Sequence, residues 1–176
     1  HSNPGILSSA FDFTRAVVRG ELHLKTYSQR FLFAPTLSLR LTAGASSGTV
    51  PPQRVFSLES RYDGFGPFGV LRGGSVKEFT GHRFVIFSLE HNFRNTPFLI
   101  LNIPFLYKNG IELLIHGTAA RSWSSSPLPF SHTTNGWYTE AGVGISRVLG
   151  VFRLDYTYRF AHPRNAFVSL GVAQLL

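Results

Sequence analysis

The sequence contains no cysteine and no methionine. Without cysteine there can be no disulfide framework and no cysteine-bearing zinc site. Without an initiating methionine or a leader-like start, the chain reads as a processed or excerpted one. Charge is scarce: 15% of residues, against roughly 25% in ordinary soluble domains. Little polar material is therefore available to coat a water-facing surface. Long apolar runs are also missing. The most apolar stretch, Pro97–Tyr107, is broken by Asn102 and Pro104, whereas a membrane-crossing helix needs about 18 or more apolar residues. The seven histidines show no metal-ligand spacing. No metal, no cofactor and no catalytic residue is expected.

What the chain does have is apolar residues, 43% of the total, with 17 phenylalanines among them. That composition excludes a disordered chain. A hydrophobic chain without helical spans can enter a bilayer only as strands. The decisive pattern is period-2 alternation, because successive side chains of a strand point to opposite faces. In Val151–Phe160, Phe152, Leu154, Tyr156, Tyr158 and Phe160 oppose Arg153, Asp155, Thr157 and Arg159. Arg15–Thr26, Leu37–Ala45, Arg83–Phe93, Ile111–Arg121, Trp137–Val148 and Ala166–Leu176 alternate likewise. These are seven predicted strands, with an eighth expected in Gln53–Tyr62 or before Phe11. A small soluble barrel fills its interior with apolar side chains. Here one face is apolar and the other carries Arg, Glu, Asp and His, the inverted pattern of a membrane barrel. The expectation is an all-β chain, an antiparallel transmembrane β-barrel spanning residues 1–176. Trp123, Trp137, Tyr156 and Tyr158 suit its interfacial belts.

Connection lengths orient the strands, since such barrels have short periplasmic turns and longer outer loops. Arg147–Gly150 is tight and taken as periplasmic. Ala161–Asn165, Ser122–Gly136 and the long loop 48–82 then fall outside. Arg94–Gly110 should be a turn, yet it is long and apolar; part of it is expected to extend the flanking strands. Gly142 and Gly144 are read as small residues that let a plugging loop approach. His116 would have a hydrolase-like reading only if a hydroxyl residue and an acid converged on it.

Within the long loop, Tyr62–Gly74 reads YDGFGPFGVLRGG, with five glycines in thirteen residues. It contains Leu71-Arg72-Gly73, and the strand that follows carries Leu89-Glu90-His91-Asn92-Phe93. On these residues the chain resembles the BamA-type superfamily of outer-membrane assembly and translocation barrels, also called bacterial surface antigen barrels. It is similar in particular to Bacteroidetes members. The resemblance covers roughly Leu37 to Leu176. It rests on a hydrophobic-Arg-Gly motif in the long external loop before the fifth strand from the C-terminus.

The resemblance implies a sixteen-stranded barrel, of which this chain is the C-terminal half, in the bacterial outer membrane. It implies that the loop folds into the lumen and that its Arg docks on inward acids, for which Glu90, Glu112 and Glu140 are the candidates. The family commonly places an Asp in the strand corresponding to Ile111–Arg121. This chain has none there, and Glu112 would substitute. The last strand, with Phe167, Gly171 and Leu176, is similar to the C-terminal recognition signal of outer-membrane proteins, although its end is not aromatic. Implied partners are client outer-membrane proteins and periplasmic or lipoprotein accessory subunits. The net charge of +8 adds outer-membrane lipids and the phosphates of lipopolysaccharide. Nucleic acid is not expected, as the chain has no basic helix and no single-strand-binding motif. The implied role is non-enzymatic protein insertion or translocation. Two other readings stay open: a self-contained eight-stranded outer-membrane barrel with a structural, adhesive or lipid-modifying role, and a soluble β-sandwich.

Overall fold

A computed structural model of the chain describes residues 12–26, 34–51, 54–58, 71–74, 78–124 and 132–172. The alternating segments form strands: β1 (Phe13–Lys25), β2 (Thr36–Gly48), β5 (Arg83–Arg94), β6 (Glu112–Trp123), β7 (Tyr138–Val148), β8 (Phe152–Arg159) and β9 (Asn165–Val172). They make one antiparallel sheet of seven strands in the order β1-β2-β5-β6-β7-β8-β9. Sequence neighbours are spatial neighbours throughout, as a meander of hairpins requires. Among the described residues the sheet is open, with β1 and β9 at its edges.

Paired residues in an antiparallel ladder point to the same side, so the register assigns every side chain to a face. On one face Leu41 stands beside Phe87, Phe87 beside Ala119, Ile115 beside Val143, Val143 beside Tyr156 and Tyr156 beside Val168. This face is bare: Tyr156 is 50% exposed and Leu170 67%. The opposite face is covered along β6 to β8, where Asp155 and Thr157 are 0% exposed, but on β1 it is exposed. Burial along β8 thus alternates with charged residues in and apolar residues out, the reverse of a water-soluble sheet. The charged strand faces that a sandwich would turn to solvent are the buried ones.

Two further strands, β3 (Phe56–Ser57) and β4 (Thr80–Gly81), pair only with each other. The described part of Gln53–Tyr62 is therefore no eighth sheet strand. It belongs to the loop that covers the sheet; the alternative position, before Phe11, lies outside the described residues. Phe56 and Leu58 pack with Leu71, Phe84, Ile86, Ala120 and Tyr138 into an apolar cluster. The covered face is thus apolar near the loop and ionic further along. Phe84 and Ile86 lie on the same face as Glu90, a feature that their neighbours' polarity concealed.

The connection 95–111 departs from expectation. It does not extend the strands but folds as two short helices, α1 (Thr96–Ile100) and α2 (Pro104–Lys108). Pro97 and Pro104 sit in their first turns, where a missing N–H costs nothing. Leu99, Ile100, Leu101, Ile103 and Phe105 remain exposed. At the other tight end, Gly150 N–H donates to Arg147 O at 2.9 Å. Arg147, Leu149 and Gly150 all adopt positive φ there, and only the glycine does so without strain.

Candidate functional site

The Leu71-Arg72-Gly73 motif lies on the covered face, and each residue is held differently. The Leu71 side chain is buried in the apolar cluster. The Arg72 guanidinium donates from Nη2 to Glu90 Oε2 at 2.5 Å. The backbone N–H groups of Arg72 and Gly73 donate to Glu140 Oε1 and Oε2 at 2.8 and 2.7 Å. Two successive amides thus share one carboxylate, the concave backbone arrangement that suits an anion. Tyr138 donates its hydroxyl to the same Glu140 Oε2 at 2.7 Å. A side chain at position 73 would meet Glu140 Oε2 at 3.1 Å and the Phe167 ring at 3.2 Å. Glycine is what lets the backbone come this close. Downstream, Glu78 pairs with Arg159 at 2.7 Å, and Arg159 lies over the rings of Phe79 and Tyr138.

Arg72 opens a chain of alternating charges. Glu90 also accepts from Arg153, through Nη1 at 3.2 Å and Nη2 at 2.8 Å. Arg153 Nε then donates to both oxygens of Asp155, at 3.1 and 3.0 Å. The order Arg72–Glu90–Arg153–Asp155 balances two cations against two anions, which buried charges require. Burial, aided by Arg153, pulls the Arg72 guanidinium below its ordinary value; Glu90 and Asp155 oppose that pull. A cleft of about 40 Å³ opens beside Arg72, bordered by Glu21, His23, Arg40, Ser88, Leu39 and Leu89. Its volume suits a few waters.

Glu90 stands on β5 and Arg153 on β8, so their side chains meet across β6 and β7. The room comes from glycine. A Cβ on Gly142 would overlap Tyr156 O and His116 Nε2, and one on Gly144 would overlap Asp155 Oδ1 and Leu114. These two positions had suggested space for a plugging loop, but the side chains of His116 and Asp155 occupy it. Gly144→Val should lower stability by about 1–3 kcal/mol through overpacking, measured by equilibrium unfolding. A variant as stable as the parent would show that Asp155 can relocate.

Of the three candidate docking acids, the structure brings Glu90 and Glu140 to the motif. Glu112 lies elsewhere. It accepts from Asn92 at 2.7 Å and Arg94 at 3.0 Å, and lies 3.6 Å from Arg147. It ties the ends of β5, β6 and β7 together instead of substituting for the acid that this strand lacks. Phe167 lies beneath Gly73, Gly171 is the register partner of Arg153, and Leu176 is outside the described residues. Arg153 and Asp155 are the participants that the sequence did not mark as docking residues. Alternation placed them on the polar face, but nothing local says that β8 reaches β5.

His116 does bring a hydroxyl and an acid together. Its Nε2 is 3.0 Å from Thr157 Oγ1 and its Nδ1 3.8 Å from Asp155 Oδ1. The second distance is too long for a hydrogen bond, and Thr157 and Asp155 are fully buried. The hydroxyl is thus packed inside the covered face and not set at an open surface. Among the described residues no three His, Asp or Glu side chains converge to hold a metal. A scan of protein-family models gives no match to the sequence, and a search of curated proteins gives none either.

Proposed function

We propose that this chain forms part of the wall of a BamA-type barrel in the bacterial outer membrane, where it assists protein insertion or translocation. The observation that carries the reading is the docking of Arg72-Gly73 on Glu90 and Glu140, on the charged face of a sheet whose other face is bare and apolar. The bare face would meet lipid and the covered face would line the lumen. Five of the seven sheet strands are long enough, since a tilted strand crosses the hydrocarbon core in about 9–11 residues, and β1, β2, β5, β6 and β7 have 13, 13, 12, 12 and 11, while β8 and β9 have 8 each. Further strands would complete the wall, sixteen in all.

The work is non-covalent. The docked loop braces the wall from within, and a weakly paired seam beside β9 offers backbone N–H and C=O groups to a client strand. Periplasmic or lipoprotein subunits would deliver clients to that seam. Two measurements test the reading. A density map of the detergent-solubilised protein should show sixteen strands around a lumen containing Arg72; eight strands closed on themselves would replace it with the small-barrel reading. Proteoliposomes carrying the protein should speed the folding of an unfolded outer-membrane protein, and Arg72→Ala should slow them. Proteoliposomes no faster than empty vesicles would sink the assembly role.

The lipid-facing assignment has its own test. Val143, on β7, is half exposed in the middle of the apolar face. Val143→Arg should cost about 2–4 kcal/mol in bilayer-folded stability, the penalty for Arg near a bilayer midplane. Refolding into vesicles across a urea series measures it. A neutral result would remove Val143 from the lipid face.

A further inference from the structure

The bare face has one electrostatic anomaly. Along the ladders of all seven strands, the described residues place full charge on that face at two positions, Arg83 and Arg121. The other charged strand residues belong to the covered face or, at Arg94 and Arg147, turn to Glu112 there. His91, on the bare face at the opposite end, is engaged by Thr26 at 2.7 Å.

Arg83 and Arg121 are neighbours. Arg83 is paired with Trp123, and Arg121 with Val85, two residues along the same strand. Such diagonal positions are about 7–8 Å apart, close enough for two guanidinium groups to converge on one anion. Both residues are exposed. Among the described residues neither makes an ion pair, and the Arg121 guanidinium rests 5.8 Å from the Trp123 ring. They stand at the sheet end that carries the long loops, where β5 begins and β6 finishes.

An arginine on a lipid-facing wall costs about 2–4 kcal/mol at mid-bilayer and about 0–1 near the interface. Two arginines with no ion pair among the described residues, beside a tryptophan, therefore mark the headgroup level, where Trp is favoured. The planar guanidinium fork matches phosphate oxygens two at a time. We propose that Arg83 and Arg121, flanked by Trp123, clamp the phosphate of one outer-leaflet glycolipid headgroup against the wall. This rests on the membrane-barrel reading and on the long loops facing outward, and it assigns the lipid contact to a defined site.

The test uses the full-length protein in detergent. Bisphosphorylated lipid A, its dephosphorylated form and inorganic phosphate serve as probes, with bound lipid counted by native mass spectrometry. Insertion is followed separately, as quenching of Trp123 and Trp137 by brominated phosphatidylcholine in vesicles. The R83Q/R121Q variant should bind bisphosphorylated lipid A about tenfold more weakly or worse, as befits lost charge-assisted bonds, with quenching unchanged. The R83K/R121K variant, which keeps charge without the fork, should fall between. Dephosphorylated lipid A should not distinguish wild type from R83Q/R121Q. Equal binding of bisphosphorylated lipid A by wild type and R83Q/R121Q would overturn the clamp while leaving the barrel reading intact. Displacement of the lipid by millimolar inorganic phosphate would overturn it as a lipid site and make it a free-anion site. Absence of quenching in every variant would mean that the wall does not meet lipid, and the barrel reading would fail together with the clamp.

Discussion

Arg153→Met should be among the most damaging single substitutions in the sheet, costing about 3–5 kcal/mol at neutral pH. The Arg153 side chain is 10% exposed; it lies between Glu90 at 17% and Asp155 at 0%. Methionine fills similar volume, so the loss is electrostatic. Asp155 would lose the Arg153 Nε that donates to both of its oxygens. Glu90 would keep Arg72 alone. A buried carboxylate that loses a bidentate cation retains its desolvation cost with less to offset it. The measurement is the unfolding midpoint of the refolded protein, with the double substitution Arg153→Met/Asp155→Asn as the internal control. Removing the Asp155 charge as well should recover a substantial part of the loss, because members of one network do not add independently. If the single substitution is neutral, the Arg72–Glu90–Arg153–Asp155 chain is not an energetic unit.

Glu140→Leu should release the loop motif without dissolving the sheet. Glu140 is 3% exposed, and its carboxylate takes the amides of Arg72 and Gly73 and the hydroxyl of Tyr138. Hydrogen bonds to a charged group contribute about 1.5–3 kcal/mol each, and removing the acceptor leaves three donors buried. Their costs overlap, so a total on the order of 3–5 kcal/mol is expected. The β6–β7 and β7–β8 ladders involve backbone groups and should persist. Hydrogen exchange reads the difference directly: the amides of Arg72 and Gly73 should exchange much faster while those of β7 stay protected. Glu140→Gln, which keeps an acceptor oxygen but loses the charge, should fall between. Unchanged protection of both amides in Glu140→Leu would show that Leu71 and Arg72 suffice to dock the loop.

Most of the sheet was legible from local pattern. The ends of β5 and β7 fall within one residue of the alternating stretches Arg83–Phe93 and Trp137–Val148. β8 separates its faces residue by residue as its sequence alternates. Period-2 alternation is a property of one strand alone, so no tertiary information is needed to read it. Apolar content by itself carries less. Pro97–Tyr107 was as hydrophobic as any strand, yet its two prolines begin helical turns instead, because proline fixes φ and gives up an N–H that a ladder would use. Phe56–Ser57 shows the converse: extended residues that pair with the loop's own Thr80–Gly81 and stay out of the sheet.

The chain alone therefore determined which side chains share a strand face and that one face would be apolar, while an anionic partner for Leu71-Arg72-Gly73 was only what the family resemblance implied. Which anion it meets was a tertiary matter. Glu90, Glu112 and Glu140 look equivalent in sequence, each an acid on a polar strand face. The fold brings Glu90 under the Arg72 guanidinium and Glu140 under two backbone amides, and leaves Glu112 to Arg94 and Arg147. The Arg153 bridge to Glu90 likewise depends on β5 and β8 being joined by two intervening strands, and on glycines in β7 that leave space across them. Alternation specifies direction, which is set by the pleat of a single strand. Partnership between distant residues depends on sheet order and register, and these arise only when the ladders have formed.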